Sequence, residues 1–311
     1  MNKPINIILD SDPGHDDAIA IMMAGGSPRI KLLGISTCSG NQTIEKTTRN
    51  ALNIVQYLGI DVPVAKGSPR PLKREPMNCP SIHGESGLDG FSFPPLAKKL
   101  DPRPGYQLII DLLKENEDVV VCPTGPLTNI ALALDADPSI KSHIRCIDLM
   151  GGSMGVGNTS PAAEFNIMVD PEAADIVFNS GVPIYMNGLD VTREVLVKPS
   201  VVKDIGRLDN KASKLFVALM DFYNTRQKDV FGWKHGAPLH DPIVLVSLLD
   251  HKAIKYEKMN VTIDTTNGPS VGRTNCDRYG YLGKKENAYV ATSVKVDHYW
   301  KALKEAMKHY E

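Results

Sequence analysis

Near its start the chain reads INIILDSDPGHDD, residues 5–17. The first five residues of this stretch form a short apolar run, which is typical of a buried β-strand. The Pro13-Gly14 pair then favours a tight turn, and a helical pattern of apolar residues begins at Asp16. A strand, a turn and a helix in this order predict the first unit of a parallel sheet that is covered by helices.

The same alternation continues as far as Val191. It predicts strands at 5–9, 31–37, 62–65, 119–122, 146–150 and 183–186. Helices are predicted among them at 16–24, 44–58, 106–114, 127–134 and 171–179. This pattern favours an α/β fold, with an open, mostly parallel twisted sheet and helices on both faces, Rossmann-like in architecture.

After Val191 the pattern changes. Further helices are predicted at 200–207, 212–228 and 298–310, with more strands before the last of them. No internal repeat, low-complexity tract or Gly/Ser linker interrupts the sequence. We therefore expect a single domain over residues 1–311.

Composition and charge exclude several classes of protein. The 311 residues carry 35 Lys and Arg against 36 Asp and Glu, which gives a net charge of -1. Such a chain offers no broad basic field to a nucleic-acid backbone or an anionic membrane. No apolar run approaches the ~18 residues that span a bilayer. We therefore expect neither nucleic acid nor membrane as a partner.

The cysteines and the first residues bear on the cellular compartment. The 5 cysteines are scattered and form no C-x-x-C pair, so neither a zinc site nor a disulfide framework fits. Residues 1–9 lack the long apolar stretch and the cleavage site of a secretory signal. The expected location is the cytoplasm, where thiols stay reduced.

An acidic cluster directly follows the first predicted strand. It consists of Asp10, Asp12, Asp16 and Asp17, whose carboxylates repel one another unless a cation or protons intervene. The cluster lies off the carboxyl end of a strand, where open α/β sheets bind their ligands. Its hard oxygen donors suit Ca²⁺ or Mg²⁺. Helix-dipole and turn chemistry explain Asp16, Asp17 and Asp12 singly, but they leave Asp10 unexplained.

Two further polar segments follow predicted strands, and each has an ordinary structural explanation beside a functional one. Thr124 can present a backbone carbonyl to the site, although Pro-Thr-Gly-Pro is also a common turn. Glu164 and Asn166, with Asn158 before them, can line a pocket that binds hydroxyl groups. Helix capping and loop hydrogen bonds explain them equally well.

Two histidine segments are also open to both interpretations. Asp241 precedes Pro242 and is explained by helix capping, while His240 beside it offers a side chain that titrates near neutrality. His83 opens a glycine-rich loop of the kind that closes over a ligand. The surrounding segment, 67–105, is long for a simple connection, and such loops are usually functional or disordered.

Taken together, these motifs resemble the inosine-uridine-preferring nucleoside hydrolase family, whose hallmark is D-x-D-P-G-x-D-D after the first strand. The motifs that match, in order, are Asp10 to Asp17, Gly40-Asn41-Gln42-Thr43, His83-Gly84-Glu85-Ser86-Gly87, Pro123-Thr124-Gly125, Met150-Gly151-Gly152, Glu164-Phe165-Asn166 and His240-Asp241-Pro242. They cover nearly the whole chain. The length, His15 and residues 236–242 look most like the bacterial pyrimidine-preferring ribonucleoside hydrolases.

The resemblance implies a role for each matched residue. It implies a Ca²⁺ ion held by Asp12, Asp17, the Thr124 carbonyl and Asp241, with Asp10 in support. It implies ribose binding by Asp16, Asn41, Met150, Asn158, Glu164 and Asn166, and base binding by His83 and His240. The family's enzymes are homodimers or homotetramers, so self-association is implied as well.

The implied reaction is hydrolysis of the N-glycosidic bond of a ribonucleoside, with uridine or cytidine preferred. Asp12 would serve as general base and His240 as general acid. A broad-specificity or purine-preferring hydrolase is the main alternative. Two weaker ones are a haloacid-dehalogenase-type phosphatase, which also uses Asp-x-Asp after a first strand, and a non-catalytic nucleoside-binding protein. Base contacts around Tyr223, Gln227, Phe231 and Trp233 are left unassigned, because packing explains that helix face equally well.

Overall fold

The computed structural model describes residues 3–311 and has a sheet of nine strands at its centre. The strands are β1 Ile5–Ser11, β2 Ile30–Thr37, β3 Val64–Lys66, β4 Val119–Pro123, β5 Ile144–Met150, β6 Ile184–Asn187, β7 Ile254–Ile263, β8 Thr274–Asp277 and β9 Ala288–Val294. Their order in the sheet is β3-β2-β1-β4-β5-β6-β9-β7-β8. Only β7 pairs in antiparallel fashion, with β9 and β8. The predicted fold class and its six parallel strands are confirmed.

The helices cover both faces of this sheet. They are α1 His15–Gly26, α2 Ile44–Leu58, α3 Pro80–His83, α4 Gly105–Glu115, α5 Thr128–Ala136, α6 Phe165–Val169, α7 Pro171–Phe178, α8 Leu189–Thr192, α9 Pro199–Gly206, α10 Lys211–Phe231, α11 Ile243–Leu249 and α12 Val296–Met307, with a 3₁₀ helix at Pro138–His143. The long helices were predicted with small errors at their ends. The four- and five-residue helices α3, α6 and α8 were missed, because one turn is too short to show a helical period.

The first strand separates two hydrophobic cores. Ile7 and Leu9 belong to one core, whereas Ile8 between them belongs to the other. Neighbouring side chains on a strand point to opposite faces, so a continuous apolar run is what a strand covered on both sides requires. The run that begins the chain therefore reflects two layers of helices over one sheet.

The order of the strands places a crevice beside β1. From β1 the chain builds β2 and β3 on one side and β4 to β6 on the other. Adjacent connections therefore diverge at the carboxyl ends of β1 and β4, and open α/β sheets bind ligands at such a point. The backbone keeps the two ends together, because Thr124 N–H donates to the Asp10 carbonyl at 2.8 Å.

The long segment 67–105 lies against this crevice. Its one helix is α3, and Asn78 Nδ2 donates to the Gly40 carbonyl at 2.9 Å. The Cys79 N–H donates to the Asn41 carbonyl at 3.3 Å. The segment is therefore tied to the loop that follows β2. Within residues 3–311, no helix is long and apolar enough to cross a membrane.

Candidate active site

Three carboxylates from two distant parts of the sequence meet at the crevice. Asp16, Asp17 and Asp241 are buried, and each offers a carboxylate oxygen within 4.8 Å of the other two. Asp16 and Asp17 form the first turn of α1. Asp241 is brought to them by the segment before α11, whose Leu239 N–H donates to the Val195 carbonyl at 2.9 Å.

Asp12 follows β1 and is fully buried. Its Oδ2 accepts the Asn41 N–H at 2.6 Å, while its Oδ1 has no hydrogen-bond partner among the described residues. Glycines pack against both oxygens. A Cβ on Gly40 would lie 2.1 Å from Oδ2, and a Cβ on Gly125 would lie 2.5 Å from Oδ1. A buried carboxylate oxygen without a donor is costly, and a cation would satisfy it.

Asp17 is held by four hydrogen bonds. Its Oδ1 accepts from the hydroxyls of Ser11 at 2.7 Å and Thr124 at 2.8 Å. Its Oδ2 accepts from the Gly14 N–H at 3.0 Å and Asn41 Nδ2 at 2.9 Å. The bond from Gly14 is helix capping, so the structural explanation of Asp17 holds as well. The same contacts hold the carboxylate beside those of Asp16 and Asp241.

The electrostatics of the cluster favour binding of a cation. Burial raises the pKa of Asp16 to about 8, and the charge of Asp17 adds to the effect. Burial likewise raises the pKa of Asp12 and Asp241 well above the usual range for aspartate, with neighbouring carboxylates contributing. Three such groups ionise together near neutral pH only if a cation joins them. The oxygen-only donor set therefore fits a hard divalent metal ion.

Asp10 is fully buried and accepts hydrogen bonds from side chains of β2 and α5, and its support of the cluster stays a prediction from the resemblance. Its Oδ1 accepts from Ser36 Oγ at 2.5 Å and from Asn129 Nδ2 at 2.8 Å. Burial raises its pKa to about 7. Asp10 does not line the cavity above the cluster, so the structure gives it contact with the neighbouring strand and helix instead.

Above the carboxylates lies a cavity of about 220 Å³, here called the first cavity. Ten of the residues singled out from the sequence line it: Asp16, Asn41, His83, Thr124, Met150, Asn158, Glu164, Asn166, His240 and Asp241. The other three, Asp10, Asp12 and Asp17, do not line it. The residues come from the ends of several strands, so parallel topology explains how motifs far apart in sequence converge.

The polar wall opposite α1 is built around α6. Glu164 caps this helix by accepting from the Asn166 N–H at 2.9 Å, and it also accepts from the Gly152 N–H at 3.0 Å. Burial raises its pKa to about 6. Asn166 Nδ2 donates to the carbonyls of Thr124 at 2.9 Å and Met150 at 3.1 Å. The capping interpretation is thus confirmed for Glu164. The side chains of Glu164 and Asn166 also face the first cavity.

Helix capping fails as an explanation of Asp241. Helix α11 begins at Ile243, and its capping residue is Pro242, with no side-chain hydrogen bond to the first turn. The Asp241 carboxylate instead lies among the acidic cluster. A buried carboxylate placed beside two others serves no local structural purpose, which favours the metal-binding interpretation.

Two neutral histidines face the first cavity. His83 Nδ1 accepts the His15 N–H at 3.2 Å, and its ring stacks on Tyr223 at 5.8 Å between centroids. Burial lowers the pKa of His83 well below its usual range. His240 Nδ1 lies 2.7 Å from Thr192 Oγ1, and burial lowers its pKa to about 3, with the charge of Arg193 adding to the effect.

Several lining residues were missed or left unassigned from the sequence. The missed ones are Met77, Asn78, Cys79, Ile82, Thr159 and Phe165. Segment 77–82 gave no signal beyond the length of its loop. Tyr223, Gln227 and Phe231 share one face of α10 and line the first cavity. Their spacing in the sequence therefore indicated a cavity-lining face of the helix, which packing alone does not explain.

Comparisons with known proteins agree with the geometry. The chain is 45% identical over 305 residues to the pyrimidine-specific ribonucleoside hydrolase RihB of Escherichia coli strain K12, covering 98% of this chain and 97% of that protein. Among solved structures, the purine-preferring ribonucleoside hydrolase of Gardnerella vaginalis superposes with a TM-score of 0.91 at 35% identity, covering 97% of this chain and 98% of the other. The plant nucleoside hydrolase PpNRh1 gives 0.91 at 31% identity, covering 98% and 99%.

The family model for inosine-uridine preferring nucleoside hydrolases matches residues 7–301. That span includes the acidic cluster, both histidines and the polar lining residues Asn158, Glu164 and Asn166 of the first cavity. The resemblance drawn from the motifs is therefore confirmed. The chain belongs to the inosine-uridine preferring nucleoside hydrolase family, whose members are enzymes that cleave N-glycosidic bonds.

Proposed function

We propose that this enzyme hydrolyses pyrimidine ribonucleosides, uridine and cytidine, to ribose and the free base. Ribonucleoside hydrolysis follows from the family, and the relative named as pyrimidine-specific shares 45% identity, against 35% for the purine-preferring structure. The observation that carries the proposal is the first cavity itself. Buried carboxylates form its floor, amide and carboxylate groups form one wall, and two neutral histidines face it. Family membership sets aside the phosphatase and the non-catalytic binder.

We propose Ca²⁺ as the ion of the acidic cluster. Asp12, Asp17, Asp241 and the Thr124 carbonyl would hold it, as the resemblance implies, and Asp16 lies close enough to contribute. The unpaired Oδ1 of Asp12 and the raised pKa of Asp12 and Asp241 support this assignment. The chemistry that a bound Ca²⁺ supplies is to orient a water molecule and increase its acidity.

Asp12 is the proposed general base. Held between Gly40 and Gly125, its carboxylate has little freedom to move. Cleavage of the glycosidic bond builds positive charge on the sugar ring, and the carboxylates beneath the first cavity stabilise that charge. Asn158, Glu164 and Asn166 are the proposed partners of the ribose hydroxyls, because all three line the first cavity on one wall.

His240 is the proposed hydrogen-bond donor to the departing base. With a pKa of about 3 its ring is neutral at physiological pH, so it does not supply the proton as an imidazolium. The Thr192 hydroxyl can donate to Nδ1, which leaves the hydrogen on Nε2 for the base. A neutral donor of this kind strengthens its bond as negative charge develops on the base.

The experiment that tests the substrate class compares initial rates of ribose release from uridine, cytidine, inosine and adenosine. Uridine and cytidine should give the highest kcat/KM, and a calcium chelator should remove activity on all four. A higher kcat/KM for inosine and adenosine would replace the pyrimidine assignment with the purine-preferring alternative. Activity unaffected by the chelator would contradict the metal assignment.

The variant His240→Ala is expected to reduce kcat for uridine by about 10²-fold or more, since one proton-transfer or hydrogen-bonding group is typically worth that much. The loss should be much smaller for p-nitrophenyl riboside, whose leaving group needs no proton. The exposed His235→Ala is the matched control and should leave both rates unchanged. Equal losses on the two substrates would remove His240 from this role.

Three further assignments accompany the proposal. A continuous sheet that includes strands from β1 to β9 supports treating residues 1–311 as one domain. Assembly into a homodimer or homotetramer stays a prediction from the resemblance, which sedimentation of the purified protein tests. The cytoplasmic location also stays a prediction.

A further inference from the structure

A second cavity, of about 170 Å³, adjoins the first. Asn158, Gln227, Phe231 and His240 line both. The second cavity is completed by residues that take no part in the assignments above, and these are Gly157, Arg193, Trp233 and Pro238. The shared residues make it a continuation of the side of the first cavity that His240 faces.

The two cavities carry opposite charge. Asp16, Glu164 and Asp241 line the first cavity, and no Lys or Arg lines it within residues 3–311. Arg193 lines the second, and no Asp or Glu accompanies it in that lining. A substrate that reaches from one cavity towards the other therefore lies between carboxylates and a guanidinium group.

Two hydrogen bonds hold the guanidinium of Arg193 in place, but its other N–H groups have no acceptor in the described part of the chain. Its Nη1 donates to the Val156 carbonyl at 2.9 Å, and its Nη2 donates to the Gly157 carbonyl at 2.6 Å. Arginine has five N–H groups, so three have no acceptor in the described part of the chain. Asp190 lies nearby, but its carboxylate accepts from the backbone N–H groups of Met154 and Gly155.

We propose that Arg193 forms a subsite for the departing base, donating hydrogen bonds to a carbonyl oxygen of a pyrimidine while negative charge develops on it. Arg193 is then a catalytic residue that acts on the leaving group. Gln227, which is buried and lines both cavities, and the aromatic rings of Phe231 and Trp233 complete the subsite. The inference rests on the proposed function and deepens it.

The electron balance of the reaction explains why a cation belongs there. The C1′–N1 bond breaks, and its electron pair stays on N1 of the base. A new bond forms between C1′ and the oxygen of a water molecule, whose proton passes to the Asp12 carboxylate. In uracil the extra charge spreads onto the carbonyl oxygens, and the base is finally neutralised by a proton from solvent. The carboxylates beneath the sugar thus stabilise the positive charge on the ring, and the guanidinium beside the base stabilises the negative charge on the leaving group.

The test uses full-length Arg193→Ala and Arg193→Lys, with Arg278→Ala as a matched control. Arg278 is also an arginine with two N–H bonds, in this case to Glu257, and it lines none of the cavities described above. For Arg193→Ala we expect kcat on uridine to fall by about 10²-fold, with a fall of less than about threefold on p-nitrophenyl riboside. Arg193→Lys should recover part of the loss, because the charge remains.

A series of leaving groups distinguishes a role in catalysis from a structural role. The measured quantity is the dependence of kcat on the acidity of the base, which a purely structural role of Arg193 would not change. Across 5-fluorouridine, uridine and 5-methyluridine the base becomes a progressively poorer anion. The dependence of kcat on base acidity should be steeper in Arg193→Ala than in the wild type. An unchanged slope, or equal losses on uridine and p-nitrophenyl riboside, would overturn the proposal and leave Arg193 as a support for the loop at Asn158.

One more substrate separates a base subsite from a phosphate subsite. If Arg193→Ala lost activity on uridine 5′-monophosphate while keeping it on uridine, the guanidinium would serve a phosphate and the proposal would fail. Failure of the proposed function itself looks different, because the wild-type enzyme would then show a higher kcat/KM for inosine and adenosine than for uridine.

Discussion

Replacing Asp12 with alanine is expected to abolish turnover of uridine while the fold stays intact. The carboxylate is the proposed general base, and its unpaired Oδ1 is a proposed ligand of the metal ion. Loss of both contributions should reduce kcat by at least ~10⁴-fold, since a general base alone is worth up to about that factor. Ribose release under saturating uridine measures the effect, and far-UV circular dichroism with a melting curve monitors the fold.

Asp148→Asn is the matched control for Asp12→Ala. Asp148 is also buried on a strand of the parallel sheet, and burial raises its pKa to about 7. Its oxygens accept from Asn187 Nδ2 at 2.7 Å and Ser247 Oγ at 2.6 Å, and it does not line the first cavity. Activity should stay near that of the wild type. Retention of more than a few per cent of activity in Asp12→Ala would refute the base assignment.

Removal of the metal ion is expected to destabilise the protein in a pH-dependent way. In the metal-free protein burial raises the pKa of Asp16 from 3.8 to about 8, so the folded state binds a proton more tightly than the unfolded chain does. Stability should therefore fall as the pH rises from about 4 to about 8. Calcium, which keeps the carboxylates of the cluster ionised, should make this slope shallower, while the buried Asp148 and Glu164 keep their own contribution to it.

The measurement is the Tm of chelated and calcium-loaded protein at pH 5 and pH 8, with metal content determined for each sample. Calcium should raise the Tm at pH 8 by on the order of 10 °C and by less at pH 5. Asp241→Asn removes one proposed ligand and should weaken the response, whereas Asp148→Asn should preserve it. A chelated protein with full activity and a Tm independent of pH would contradict the metal assignment.

The fold was predictable where its elements are long. Residues 5–9 and the other apolar runs are buried on both faces, so their composition alone marks them as strands of a covered parallel sheet. The helices α3, α6 and α8 were not predictable in the same way. They consist of four or five residues each, and α6 exists because Glu164 caps it rather than because of any apolar period.

The site was predictable in part. Electrostatic repulsion among Asp10, Asp12, Asp16 and Asp17 indicated a metal site from the residues alone. Asp241 looked like a helix cap, and only the resemblance brought it to the cluster, because local sequence carries no information about contacts between segments far apart in the chain. Arg193 gave no signal at all, since its position beside the second cavity depends on how α8 packs after β6.

The carboxylates that meet within 4.8 Å belong to the first helix and to a loop late in the chain. A growing polypeptide therefore cannot bring these three carboxylates together until most of its length has left the ribosome. Such long-range contacts are characteristic of slow folding steps. We expect calcium to slow unfolding of the finished protein and to leave the rate of refolding almost unchanged, which is the result that formation of the cluster after the main folding barrier would give.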